Sequence, residues 1–190
     1  MTHVTEDDLD DLEFDTLHTG DHMTAARRLS ELADARSSGV SRVKILLRAG
    51  EQWQHAGEYE RAAELYRKAI DDGGEAYGDP RAYLADALFE LARPADARAL
   101  IDQIHADAPQ DPEVHRAVAE ALYAQGDAPG TLKWATAGAD VVLAARDRGA
   151  LESGEDSLEA LLRLRYRARV DLGEPEDCYD ALLDDLLKAP

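Results

Sequence analysis

Helix-breaking turns recur in this chain at a nearly constant interval, and that interval limits its fold more than any other feature. Gly20, Gly57, Ala92 (in Ala92-Arg93-Pro94) and Gly126 follow one another at spacings of 37, 35 and 34 residues. Between them lie stretches whose apolar residues return every three or four positions, as in helices with one buried face. Residues 43–76 show the unit most completely. Leu46, Ala49, Gly50 and Trp53 line one face of a first helix, Gly57 and Glu58 make the turn, and Ala62, Tyr66 and Ala69 line one face of a second. A period of this length denotes one two-helix hairpin, which buries its apolar face only by stacking on neighbours.

Turn chemistry places the other units. Residues 1–5 read as a short flexible start. Thr5 then caps a helix carrying Leu9, Leu12 and Leu17, with Glu6, Asp7 and Asp8 at the favourable end of its dipole. Asp21 opens a second helix with Ala25, Leu29 and Leu32, interrupted at Ser37, Ser38 and Gly39. Asp79-Pro80 and Asp111-Pro112 both set a capping acid before proline at the first helical position. Past Gly126 the period slips: Gly173 lies 47 residues on, so about a dozen extra residues extend a helix or loop there. Asp156 and Glu159 read as a capping box for the last pair. The expectation is one domain of five hairpins, at about 6–39, 43–76, 78–111, 112–148 and 156–188, with a loop at 149–155.

Composition narrows function by exclusion. Forty acidic against 21 basic residues give a net charge of −19, whose field repels phosphate backbones and anionic lipid, so neither nucleic acid nor membrane is an expected partner. No apolar run is long enough to span a bilayer, and the acidic start does not resemble a secretory signal; a cytoplasmic protein is expected. The single Cys178 has no companion for a disulfide or metal site and falls where the hairpin wants a small packing residue. His18 and His22 are four apart but separated by Gly20, and His105 and His115 flank a connection, so no ligand set forms. No phosphate-binding glycine loop and no catalytic constellation are found; no cofactor, metal or enzymatic activity is expected. Abundant alanine, arginine over lysine and no asparagine suggest a GC-rich genome.

The small residue near the start of each second helix, Ala25, Ala62, Ala97, Thr131 and Cys178, resembles the tetratricopeptide repeat, as do the first-helix positions Gly50, Ala85 and Ala119. A small stand-alone bacterial member is the nearest description. The outer units depart from the pattern, with Glu13 and Tyr166 at that first-helix position. The resemblance implies an all-α, right-handed superhelical solenoid whose first helices line a concave groove. Carried onto this chain, the groove positions are Lys44, Leu47, Glu51, Gln54 and His55, then Ala82, Asp86, Phe89 and Glu90, then Glu113, Arg116, Glu120 and Tyr123, and finally Arg163 and Arg167.

That groove is acidic in its middle with two aromatic side chains and basic at its carboxy-terminal end, so a peptide or protein segment with cationic and apolar character is its expected partner. Family members that clamp acidic chaperone tails use lysine, arginine and asparagine. This chain has no asparagine and places Glu51, Asp86 and Glu120 there instead. The alternative is a self-assembling scaffold that forms a homodimer through the terminal row Leu182, Leu183, Leu186 and Leu187, and more distantly an enzyme whose site is not recognisable.

Overall fold

The computed structural model describes residues 3–35, 38–149 and 155–188. Ser37 and the loop residues 150–154 lie outside the described residues, as do the side chains of Glu13, Leu17 and Glu155. The described chain is helical apart from its turns and one two-residue strand pair, and it divides into two compact units, Met1–Leu100 and Ile101–Pro190.

Unit one holds β1 (His3–Val4), α1 (Glu6–Thr19), α2 (His22–Asp34), β2 (Ser38–Gly39), α3 (Arg42–His55), α4 (Tyr59–Asp72) and α5 (Pro80–Glu90); the boundary falls inside α6 (Pro94–Ala106). Residues 3 and 4 of the expected flexible start are paired with the chain further on. His3 and Val4 pair in parallel with Ser38 and Gly39, Val40 N–H adds a bond to Val4 O at 3.1 Å, and the Val4 side chain is buried. Thr5 caps α1 in a reciprocal box with Asp8, and Asp21 caps α2 by accepting from Thr24 N–H at 3.0 Å. α3 is sandwiched between α2 and α4, and α4 packs on α5. Gly50 makes the α3–α4 approach possible: a Cβ there would sit 2.7 Å from Tyr66 Cζ, within the ring of a fully buried side chain.

Unit two holds α7 (Pro112–Ala124), α8 (Ala128–Asp147), α9 (Glu155–Leu172) and α10 (Cys178–Lys188). α8 takes up the slip in the repeat by running for 20 residues. It packs on α7 and α9 through Gly138, where a Cβ would meet His115 Cβ at 2.6 Å and Leu161 Cδ2 at 2.8 Å. Asp156 lies inside the first turn of α9, so it is not the expected cap: the helix starts one residue earlier, at Glu155. Cys178 is a second correction. It opens α10 in an exposed position, because that helix buries only Leu183. The other four small positions, Ala25, Ala62, Ala97 and Thr131, are buried as helix packing requires.

The candidate protein-binding faces

In unit one the first helices α3 and α5 are placed by their caps and by their buried sides. Asp79 accepts from Arg81 N–H at 2.9 Å, and Pro80 starts α5. Successive turns of α3 then carry Lys44, Glu51, Gln54 and His55 outside its core-facing side. Gln54 donates through its amide to the Asp86 carboxylate and accepts from Tyr66 O–H at 3.1 Å. One amide thus links α3, α4 and α5, and holds Asp86 at the edge of the exposed surface. Burial pushes the Tyr66 phenol well above its usual range, with the nearby acids adding to that shift, so it stays protonated as the donor. Glu51 is half-buried and Glu90 exposed. His55 lies 5.1 Å from the His22 ring; its pKa is lowered by burial first and by His22 second.

Three expected contact residues of α3 and α5 are not available to a partner. Leu47 is 0% exposed and Phe89 6%, and Ala82 is equally buried. Both faces of these central helices are occupied, and large apolar side chains follow the core. Lys44 also does not face open solvent: its ammonium is 3.1 Å from Glu75 and 3.5 Å from Glu6 of α1. The Glu75 hydrogen bond leads the causes that raise its pKa.

In unit two Asp111 caps α7 through Glu113 N–H at 2.9 Å. Arg116 is held on both sides, at 2.6 Å from Glu113 and 2.7 Å from Glu120, and Ser157 O–H donates to the second Glu113 oxygen at 2.7 Å. Burial pushes the Glu113 carboxyl up, but the Arg116 and Ser157 hydrogen bonds outweigh it and the pKa falls below its usual value. With its one base bound by two acids, this face is net acidic. Tyr123 is half-buried. Arg163 is bridged to Glu159 at 2.7 Å, and Arg167 is exposed on the same helix, α9.

Features without a periodic signature escaped the sequence reading. His115, beside the connection before α7, is 6% exposed. Its Nε2 donates to Pro109 O at 3.0 Å and its ring lies 5.3 Å from that of Trp134, bordering a cleft of about 260 Å³ with His105, Lys133 and Val141. Arg165, nearly buried, binds Asp177 bidentately at 2.5 and 3.0 Å, takes a third bond at Thr136 and lies 4.2 Å above the Tyr179 ring. Among the described residues no group of three or more histidine, cysteine or acidic side chains could hold a metal ion, and no helix is long and apolar enough to cross a membrane.

Capped antiparallel helix pairs of repeating length, close-packed through small residues at fixed positions, define a helical-hairpin repeat protein. Residues 55–121, from the end of α3 through most of α7, match the tetratricopeptide repeat family, whose repeats mediate contacts between proteins. Comparisons with curated proteins and with solved structures found no match.

Proposed function

We propose that the chain is a non-enzymatic interaction module that binds a peptide or protein segment of cationic and apolar character through the acidic faces of its first helices. The observation that carries this reading is the way acid is built into those faces. Asp86 is positioned by the Gln54 amide in unit one, and in unit two Glu113 and Glu120 occupy both sides of the one arginine. A cation arriving at either face meets carboxylates already oriented, and the net charge of −19 speeds its approach. Half-buried Tyr123 supplies the apolar contact on α7.

The test is capture of partners from a lysate of the source organism on the native chain and on Glu51→Lys/Asp86→Lys/Glu120→Lys, each at low and moderate salt. A small set of proteins retained by the native chain, released by salt and lost with the charge reversal supports the reading. Equal retention by both chains refutes it, as does substrate turnover that vanishes on changing a single carboxylate while the fold persists. A second reading, pairing of two copies through the last hairpin, is favoured by the exposure of Tyr166, Val170 and Leu187. Light scattering that finds only monomer in concentrated solution eliminates it.

A further inference from the structure

α1 has fourteen residues, and five of its first six are acidic: Glu6, Asp7, Asp8, Asp10 and Asp11. A helix this short is marginal in water on its own, so something in the fold must hold it. Besides packing on α2, it is bound by two basic side chains of α3. Asp10 is 2.7 Å from Arg48 Nη1, Glu6 is 3.2 Å from Arg48 Nη2, and Glu6 also reaches Lys44 at 3.5 Å. Glu6 and Asp10 are four apart on one face of α1, as Lys44 and Arg48 are on one face of α3. The residues that lie between them, Leu9 on α1 and Leu47 on α3, are both fully buried. An acid–leucine–acid stripe therefore meets a base–leucine–base stripe.

The place of this contact matters. Positions 44 and 47 are two of those that the repeat pattern assigns to partner contact; in this chain Lys44 is bound by Glu6 of α1, and Leu47 is buried. The bond is also of a kind that breaks easily. The side chains of Arg48 and Lys44 are 15% and 21% exposed, but their acidic partners are 63% and 47% exposed, so water and salt reach the ion pairs from the α1 side. Lys44 keeps Glu75 at 3.1 Å if α1 leaves, whereas Arg48 loses its ion pairs with Glu6 and Asp10.

We propose that α1 is a displaceable ligand in cis, and that the α3 face beneath it is a docking surface for an acidic amphipathic helix of a partner protein. The occupant is specified by the one already there: a helix with an acid, a leucine three residues on and a second acid four residues on. This basic stretch of α3 adjoins the acidic positions treated above but attracts the opposite charge, so the two readings are tested separately.

The test uses the full chain and a fluorescein-labelled, end-blocked peptide of residues 5–19, followed by anisotropy at 20 and 500 mM salt. The double variant Glu6→Lys/Asp10→Lys repels α1 from Arg48 and is expected to bind the peptide at least ten-fold tighter than the native chain does. High salt weakens that binding, and adding Arg48→Glu abolishes it. An unrelated helical peptide with the same acid, leucine and acid spacing binds comparably, and a scrambled peptide of the same composition does not. If the double variant does not fold, the milder Glu6→Gln/Asp10→Asn gives the same order. In the native chain, α1 amides exchange with solvent faster at 500 mM than at 20 mM salt while those of α3 do not change. Peptide binding no tighter in the released variants than in the native chain overturns the proposal, as does binding that survives Arg48→Glu. A chain that dimerises by exchanging α1 and then resists the peptide makes a second copy the occupant, and overturns the assignment to a foreign partner.

Discussion

Replacing Gly50 by alanine sets two magnitudes of opposite sign against each other. In a helix interior the change is worth about 1 kcal/mol in favour of folding, through reduced backbone freedom. Here the added methyl would lie 2.7 Å from Tyr66 Cζ and 2.9 Å from Cδ1, where carbon contacts normally settle near 3.5–4.0 Å. About 1 Å must be found. Tyr66 is 0% exposed and its hydroxyl is bound to Gln54, so neither the ring nor α4 can retreat without losing packing. Overfilling of this kind costs about 1–3 kcal/mol, and more when the neighbour is held on all sides. The expected result is a net loss of about 1–2 kcal/mol, read as the opening free energy of α3 and α4 amides by native-state hydrogen exchange. The sign should reverse in a Tyr66→Leu background, where the ring is gone and the propensity term alone remains. A Tyr66→Phe background should not rescue, since the ring stays. Stabilisation by Gly50→Ala in the native chain, or the same effect in all three backgrounds, would refute the packing argument.

Gly138→Ala should cost about 1–3 kcal/mol in a thermal melt, because the new methyl meets His115 Cβ, which moves only with the α7 backbone. Glu113 has its folded pKa held below the usual glutamate value of about 4.3. Its contribution to stability is therefore complete above that value and is lost as pH falls through the depressed one. Melting temperatures of the native chain and of Glu113→Gln should converge as the solution is acidified below about pH 4. Asp177→Asn should destabilise by about 3 kcal/mol and Arg165→Met by only about 1, because the first strands a guanidinium that is 8% exposed, whereas the second frees a carboxylate that water can reach. Urea titration of the two variants checks the order, and the reverse order would show that the pair is not buried in the way described.

What was legible in the chain was whatever repeats. Asp79-Pro80 and Asp111-Pro112 told where α5 and α7 begin, because capping is settled within four residues. The turn at Ala92 was legible by its place in the period even without glycine, and the structure shows the cost of that substitution as a left-handed φ of 55°. Leu47 and Phe89 were misplaced for a physical reason: a period states which helix face a residue lies on, not whether that face is already covered. Beside Leu47, Arg48 meets Asp10 across 38 residues, and no local pattern announces a pairing of that range. Cys178 was placed by analogy with Ala25 and Ala62, but α10 buries only Leu183, and its first residue stays exposed.

The chain has two tryptophans, and the fold assigns one to each compact unit. Trp53 lies under the Arg61 guanidinium, 4.5 Å from it, and donates to Ser30 at 3.0 Å, whereas Trp134 is flanked by the rings of His105 and His115 at 5.7 and 5.3 Å. Their light emission therefore answers to different chemistry. Melting of either unit shifts only the emission of its own tryptophan. Nature has in effect labelled the halves separately. A single phenylalanine substitution at either site turns the intact protein into a one-channel reporter for the other unit, and shows whether the two come apart together or in turn.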